Sequence, residues 1–250
     1  MKLDIFSFSA LALLTSLVSE VASRIRNEAR SIVNGYDAPN RVYYVKLEIT
    51  LQTGRQTLCG GSVISSRYVL TAAHCIDEAY RVTVLVGDFT DTYRKQKITG
   101  NRMIFHRDHN EELITNDVGL IELGQPIRGR SIPLCTKSYK DSGYLMVATG
   151  LGFIDPASEK KPTVLQETVL EETYHNCERP TSEVCMKPTR SGKHSSICMG
   201  DSGGPLVVLS RSGEPKCLYG VSSYVPNQYC SGESYFARVS HFYDWIEQNM

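Results

Sequence analysis

The sequence predicts an antiparallel all-β protein, a barrel or a sandwich, with a single α-helix at its C-terminal end. Short runs rich in β-branched and aromatic residues recur along the chain, and Gly, Pro, Asp and Asn separate them. Beyond the first thirty residues, apolar residues follow a helical repeat only close to the C-terminus. Many short strands with turn residues between them are typical of barrels and sandwiches.

Six segments carry the strand prediction, and each is short and rich in apolar or β-branched residues. They are residues 42–51, 82–86, 118–123, 145–149, 205–209 and 219–224. Within residues 239–249, the apolar side chains of Phe242, Trp245 and Ile246 follow the spacing i, i+3, i+4. This spacing predicts an amphipathic helix that packs on the β-structure.

The composition excludes several classes of protein. The 250 residues include 27 Lys and Arg against 27 Asp and Glu, so the formal net charge is zero. A nucleic-acid-binding protein needs a basic excess to neutralise phosphates, and this chain has none. Because 41% of the residues are hydrophobic, the chain has enough apolar surface to form a core, and we expect no extended disorder.

The first residues predict a secretory signal peptide. A basic residue, Lys2, precedes an apolar stretch over residues 5–18, and small residues follow up to Ser23. The stretch is shorter than the about 20 residues of a membrane span, which makes a membrane anchor the less favoured alternative. We therefore expect a signal peptide over residues 1–23 and a secreted, extracellular protein whose eight cysteines pair in an oxidising compartment.

Three short motifs contain the residue types of a nucleophilic active site. They are TAAHC at residues 71–75, NDVGL at residues 116–120 and GDSGGP at residues 200–205. The first two are weak signals alone, because a histidine beside a cysteine and an aspartate before a strand are common. The third is specific, because a serine between glycines on a tight turn exposes its hydroxyl together with backbone N–H groups.

Together, His74, Asp117 and Ser202 would supply a base, an orienting group and a nucleophile. A serine hydroxyl is a poor nucleophile until an imidazole accepts its proton. The imidazole in turn needs a carboxylate that holds its tautomer and stabilises its charged form. The three residues are far apart in sequence, so only folding could bring them together.

The three motifs resemble the signatures of the trypsin/chymotrypsin family of serine endopeptidases, and IVNG at residues 32–35 resembles the start of that family's mature chain. The resemblance covers residues 32–250. It implies two six-stranded antiparallel β-barrels and a C-terminal helix, with the active site in the cleft between the barrels. His74 and Asp117 would belong to the first barrel and Ser202 to the second.

The resemblance also predicts how the chain is divided. We expect a signal peptide, an activation propeptide, an N-terminal barrel and a C-terminal barrel over residues 1–23, 24–31, 32–138 and 139–250. The family usually has a basic residue directly before the new N-terminus, whereas here Ser31 stands between Arg30 and Ile32. We therefore expect cleavage after Ser31 by a protease that is not trypsin-like, with cleavage after Arg30 as the alternative.

Two further parts of the machinery are implied by the resemblance. The backbone N–H groups of Gly200 and Ser202 would form an oxyanion hole, which stabilises the negative charge of a tetrahedral intermediate. Asp201 would pair with the amine of Ile32 that activation releases, and this buried ion pair would assemble the oxyanion hole.

The resemblance pairs six of the eight cysteines: Cys59 with Cys75, Cys177 with Cys185, and Cys198 with Cys230. Cys135 and Cys217 remain. A bond between them would complete an even count in a secreted protein, and two free thiols are the alternative.

Alignment with the family predicts the substrate-binding pocket. Ser196 stands where trypsins have an aspartate, so no carboxylate would balance a basic substrate side chain. Val225 and Ser234 stand where open pockets have glycine, and both would narrow the pocket. We expect cleavage after small to medium apolar residues such as Ala, Val or Leu. The alternative is that Val225 and Ser234 are loop residues that a gapped alignment misplaces.

The predicted function is that of a secreted, monomeric serine endopeptidase. Its partners would be protein or peptide substrates, an activating protease and protein inhibitors, without nucleic acid or membrane. We expect no cofactor and no metal, because the loop after Asp88 is basic and short, unlike a Ca²⁺ site. A catalytically impaired relative that binds or inhibits other proteins is the alternative, since Leu151 and Tyr224 replace tryptophans usual in the family. Such relatives usually lose a triad residue or the oxyanion glycine, and this chain keeps them.

Overall fold

The first half of the chain forms a closed barrel of six antiparallel strands. In the computed structural model, the described residues are 32–90, 95–140, 142–175, 177–179, 181–189 and 195–250. The first seven strands are β1 (Tyr36–Asp37), β2 (Tyr44–Leu51), β3 (Gln56–Val63), β4 (Tyr68–Thr71), β5 (Ala79–Gly87), β6 (Lys95–Phe105) and β7 (Gly119–Leu123). Around the barrel their order is β2-β3-β4-β7-β6-β5.

The interior of this barrel is filled by side chains that alternate along the strands. In β2, Val45, Leu47 and Ile49 are fully buried in the barrel core, whereas Lys46 and Glu48 between them are only partly buried. Successive residues of a strand point to opposite faces, so this alternation directs the apolar set inwards. The same alternation in the sequence predicted a strand here.

The second half forms another closed barrel, which confirms the two-barrel architecture implied by the sequence. Its strands are β8 (Met146–Gly150), β9 (Gln166–Thr173), β10 (Glu183–Pro188), β11 (Pro205–Leu209), β12 (Pro215–Tyr224) and β13 (Ser234–Arg238). They follow the order β9-β10-β13-β12-β11-β8, and pairing of β8 with β9 closes the ring. Strand β1 precedes the first barrel in sequence but adds to the edge of β9, where Tyr36 lies opposite Glu167.

The two barrels meet along a seam that the chain crosses more than once. Leu134 forms a parallel bridge with Leu218 of the second barrel, and the adjacent Cys135 is bonded to Cys217. On the other side of the seam, the backbone N–H of Gly60 donates a hydrogen bond of 2.7 Å to the carbonyl oxygen of Ser202. These contacts hold the motifs of the two halves against each other.

The chain ends in the predicted helix, α1 (Tyr243–Asn249). It begins four residues later than the start of the predicted segment. Phe242 and Ile246 are buried in the core that includes the first barrel, and Trp245 packs against it. The ring of His106 lies 5.7 Å from that of Phe242 and 5.4 Å from that of Trp245, so the apolar face docks beside the first barrel.

Four disulfides cross-link the fold, and all eight cysteines lie in the described residues. The bonded pairs are Cys59–Cys75, Cys135–Cys217, Cys177–Cys185 and Cys198–Cys230. None of the cysteines is free. The sequence did not decide whether Cys135 and Cys217 are bonded or free, and in the structure they form a disulfide.

The predicted signal peptide and propeptide, residues 1–23 and 24–31, lie outside the described residues. Within the described part of the chain, no helix has the length and apolar character needed to cross a membrane.

Candidate active site

Strand pairing in the first barrel brings His74 and Asp117 together. His74 lies in a 3₁₀ turn directly after β4, and Asp117 lies two residues before β7. These strands are neighbours, with Thr71 opposite Gly119. As a result, His74 Nδ1 lies 2.8 Å from Asp117 Oδ2, and the His74 backbone N–H donates to Asp117 Oδ1 at 3.0 Å.

The pair is electrostatically coupled. Burial of the imidazole disfavours its protonated form, but the hydrogen bond and charge of Asp117 outweigh this effect and raise the pKa of His74 above its usual 6.5. Burial of the carboxyl group favours its neutral form, yet the hydrogen bond and charge of His74 outweigh it and lower the pKa of Asp117. Asp117 is therefore a carboxylate at neutral pH, and it holds the proton of the imidazole on Nδ1.

A third residue, Ser223, completes the surroundings of this carboxylate and was missed by the sequence reasoning. It lies on β12 of the second barrel, and its hydroxyl donates a hydrogen bond to Asp117 Oδ2. The Asp117 carboxylate thus accepts hydrogen bonds from both barrels. No local pattern distinguished Ser223 from its neighbour Ser222, because the contact joins residues 106 positions apart.

The loop with Ser202 is held at the seam by backbone hydrogen bonds to both barrels. The Ser202 carbonyl accepts from Gly60 N–H of the first barrel, and Gly203 N–H donates to Ser222 O of the second, each at 2.7 Å. Gly203 has φ +75°, and a Cβ atom there would overlap Thr71 Oγ1. Only glycine fits this close approach of the two barrels, which explains the residue after the serine.

The backbone N–H groups of Gly200 and Ser202 make no backbone hydrogen bond within the described residues. Gly200 adopts φ +95°, a conformation that favours glycine, and a Cβ there would lie 3.1 Å from Gly152 Cα. No hydrogen bond joins the Ser202 hydroxyl to the His74 ring in the described part of the chain. The loop therefore offers two backbone donors, and the serine and the imidazole are not hydrogen-bonded to each other.

Asp201 is completely buried between its neighbours in the loop. Its carboxylate accepts N–H hydrogen bonds from Gly152 at 2.7 Å and Cys198 at 2.8 Å. Burial raises the pKa of Asp201 to about 7, and the two hydrogen bonds only partly oppose this. Among the described residues no cation pairs with it. Ile32 is buried too, and the next residue, Val33, forms a β-bridge with Ser196.

Two of the three predicted pocket residues contact each other, and the third packs against the core of the second barrel. Ser196 and Ser234 are fully buried, and their hydroxyl oxygens lie 3.1 Å apart. Val225 packs against the apolar cluster that contains Ile197. Tyr224 stacks in parallel on Tyr235, with ring centroids 4.5 Å apart. The base of this region is therefore neutral and contains no carboxylate among the described residues.

Comparison with known proteins identifies relatives over nearly the whole chain. The family model described as Trypsin matches residues 32–246. A collagenase of Hypoderma lineatum is 34% identical, covering 96% of this chain and 95% of the relative. A chymotrypsin of Phaedon cochleariae is 32% identical, covering 86% of this chain and 81% of the relative.

A solved structure described as HL collagenase superposes with a TM-score of 0.73 and 30% identity. The match covers 87% of this chain and 97% of the other. The likeness thus extends over both barrels. With a family model that spans most of the sequence and relatives above 30% identity, the chain belongs to the trypsin family of serine proteases.

Proposed function

We propose that this protein is a secreted serine endopeptidase in which Ser202 is the nucleophile, His74 the general base and Asp117 the group that orients the histidine. The observation that carries the proposal is the contact of buried Asp117 with the partly exposed His74, 2.8 Å apart, at the same seam that holds the Ser202 loop. A neutral imidazole with its proton fixed on Nδ1 leaves Nε2 free to accept a proton.

The proposed reaction follows from these positions. The Ser202 oxygen attacks the substrate carbonyl carbon while its proton moves to His74 Nε2. The carbonyl oxygen becomes an oxyanion, which the N–H groups of Gly200 and Ser202 stabilise. When the C–N bond breaks, His74 returns the proton to the leaving amine. Water then repeats the sequence on the acyl-enzyme, which releases the acid and restores Ser202.

Activation would follow cleavage after Ser31. The new amine of Ile32 would pair with Asp201, whose buried carboxylate has no cationic partner among the described residues. A cation there would lower the pKa of Asp201 and fix the adjacent loop, because leaving one partner of a buried ion pair alone costs about 3–5 kcal/mol. N-terminal sequencing of the active enzyme tests the cleavage site, and a Ser31 start would contradict it.

The pocket supports cleavage after small to medium apolar residues. The Ser196 hydroxyl donates to the Ile197 carbonyl oxygen at 2.9 Å and lies 3.1 Å from the Ser234 hydroxyl. Both groups are neutral, so a substrate ammonium or guanidinium would find no counter-charge there. Val225 packs against the apolar cluster that includes Ile197, and its side chain would add bulk to the pocket. A peptide library in which the processed enzyme preferred Arg or Lys would overturn this specificity.

A binding or inhibitory role is the second candidate, and one observation favours it. The Ser202 hydroxyl makes no hydrogen bond to His74 among the described residues. Substitution of usual tryptophans by Leu151 and Tyr224 is typical of such relatives. In an uncut chain, however, the contact can tighten on activation and on substrate binding, as catalytic hydrogen bonds often do.

Chemical labelling separates the two candidates. A Ser31→Arg variant can be cut by trypsin to expose Ile32, and the product is treated with a sulfonyl fluoride. The enzyme should gain one covalent adduct on Ser202, detected by mass spectrometry of its peptides, while the matched Ser202→Ala protein gains none. A correctly cut, folded protein that neither reacts nor cleaves any peptide would support the binding role instead.

A further inference from the structure

A groove beside the Ser202 loop is separate from the specificity pocket. It has a volume of about 470 Å³ and is lined by Gln56, Thr57, Leu58, Phe153, Lys161, Met199 and Gly200. None of these residues belongs to the pocket formed by Ser196, Val225 and Ser234. Two of them, Met199 and Gly200, belong to the loop that carries Ser202, so the groove opens directly at the proposed reaction centre.

The position of the groove identifies the part of a substrate that would occupy it. The side chain before the cleaved bond enters the pocket, and the reacting carbonyl lies at Gly200 and Ser202. The groove that opens at Gly200, with Leu58 and Phe153 in its lining, is then available to the chain after the bond. An extended chain advances about 3.3 Å per residue, so three residues reach about 10 Å beyond the cleaved bond.

Lys161 is the one charged residue among the seven that line this groove. Lys161 lies on its rim, with Nζ 5.3 Å from the Phe153 ring centroid. Lys46 lies opposite Gly60, whose N–H donates to the Ser202 carbonyl, and strand register places Lys97 on the same face. Lys97 in turn lies 3.3 Å from the carboxylate of Glu48.

The charges of neighbouring lysines act on Lys46, which is partly buried on β2. Burial, aided by the charges of Lys161, Lys95 and Lys97, lowers the pKa of Lys46. The charge of Glu48 opposes these three lysines and favours the charged form of Lys46. The groove combines the apolar side chains of Leu58, Phe153 and Met199, which suit a polypeptide, with the ammonium group of Lys161, which suits an anionic side chain.

We propose that this groove selects polypeptides with an acidic side chain among the three residues that follow the cleaved bond, and that Lys161 receives that side chain. The inference rests on the proposed peptidase activity and deepens it, because it names a specificity determinant outside the pocket. The lysines behind Lys161 extend the positive field and would favour the approach of acidic substrates.

Paired peptides test the inference on the enzyme cut at Ile32. Each pair has the same apolar residue before the cleaved bond and differs by Glu or Gln at the first, second or third following position. At one position, Glu should raise kcat/KM by about two- to fivefold, the effect of a partly exposed ion pair. The preference should shrink in 0.5 M salt, because salt screens exposed charges.

Matched variants assign the effect to one residue. Lys161→Gln should remove the preference, and Lys161→Glu should reverse it in favour of a Lys peptide. Lys216→Gln is the control, because Lys216 also lies over an aromatic ring, Tyr144, but is remote from the groove. Its Glu preference should match that of the unmodified enzyme.

Equal rates within every pair, with cleavage intact, would overturn the inference and leave the proposed peptidase activity standing. Absence of cleavage of all peptides would instead overturn the activity. In that case the same peptides are titrated onto the Ser202→Ala protein. Tighter binding of the Glu peptide, abolished by Lys161→Gln, supports the groove's role, and equal binding of both peptides overturns it.

Discussion

The buried carboxylate of Asp117 holds three hydrogen-bond donors in place. Its two carboxylate oxygens accept hydrogen bonds from the ring and the backbone of His74 and from the hydroxyl of Ser223. These donors hold the group ionised despite its burial, and the charge in turn raises the pKa of His74. The protonation state of one imidazole thus depends on contacts from two barrels.

The pH dependence of activity follows from this charge. Protonated His74 cannot accept the Ser202 proton, so kcat/KM should fall as the pH drops through the raised pKa of His74, with a midpoint above 6.5. Asp117→Asn should move that midpoint down and lower kcat by about 10⁴-fold, because the wrong tautomer is favoured. Asp155→Asn, at an exposed carboxylate, is the control and should leave the profile unchanged. A midpoint below 6.5 in the unmodified enzyme would contradict the coupling.

The neutral base of the pocket makes a second prediction at this scale. Ser196→Asp would place a carboxylate beside the Ser234 hydroxyl. We expect kcat/KM for Arg substrates, relative to Leu substrates, to rise by at least about tenfold, a change of about 1.4 kcal/mol. The same substitution at the exposed Ser212 should not change the preference. If Ser196→Asp leaves it unchanged as well, Ser196 does not line the pocket.

At the level of structural elements, the loop between Cys198 and β11 contacts both barrels and links them. Backbone hydrogen bonds tie it to Gly60 in β3 and to Ser222 in β12, and the Cys198–Cys230 disulfide tethers its start. Such a loop positions its serine through main-chain contacts, so its geometry is sensitive to any added atom. Gly203 is the tightest point.

A methyl group at that point should therefore be costly. Gly203→Ala would overlap Thr71 Oγ1 and enforce a strained positive φ, so we expect a loss of about 2–5 kcal/mol in the free energy of unfolding. Gly213→Ala has a similar φ, +85°, but nothing within 4 Å, and should cost about 1–2 kcal/mol. Urea unfolding measures both. Equal losses would show that the seam is looser than these contacts indicate.

At the scale of the whole molecule, the proposed active site exists only where two separately closed barrels touch. The first supplies His74 and Asp117, and the second supplies Ser202, Ser223 and the pocket. The C-terminal helix and the Cys135–Cys217 bond reinforce the same contact from other directions. Anything that alters the seam should therefore change activity and stability together.

Activation should alter the pH dependence of stability. In the uncut chain the raised pKa of Asp201 means that the folded state binds more protons than the unfolded state between pH 3.8 and about 7. The free energy of unfolding should then fall as the pH rises through this window. In the cut chain, the Ile32 amine would lower this pKa and remove the fall.

Thermal unfolding of both forms at several pH values measures this difference. The advantage of the cut form should be larger at pH 8 than at pH 5. The uncut Asp201→Asn protein is the control, and its stability should depend less steeply on pH over the same window. Identical slopes for the cut and uncut forms would rule out Asp201 as the partner of the new amine.

The sequence missed seven of the thirteen strands in the described residues, and two of the missed strands are rich in charged residues. β6 (Lys95–Phe105) and β9 (Gln166–Thr173) each contain three charged residues and show no clean apolar alternation. β6 is a strand because β5 and β7 pair with it on either side. In β9, Glu167 is buried because Arg41 pairs with it at 2.9 Å, a partner 126 positions away. Side-chain pattern cannot reveal a strand whose buried groups are satisfied from elsewhere in the chain.

What the sequence determined by itself was the chemistry of short segments: the three motifs, the apolar strands and terminal helix, and the neutral residue at position 196. Each depends on residues close together in the chain, so local order is enough to predict it. The tertiary structure alone decided that the Ser223 hydroxyl hydrogen-bonds to Asp117 and that the hydroxyls of Ser196 and Ser234 are in contact. It also decided that Lys161 lines a groove at Gly200. These contacts depend on the register and closure of two barrels, which bring together residues that no local pattern connects.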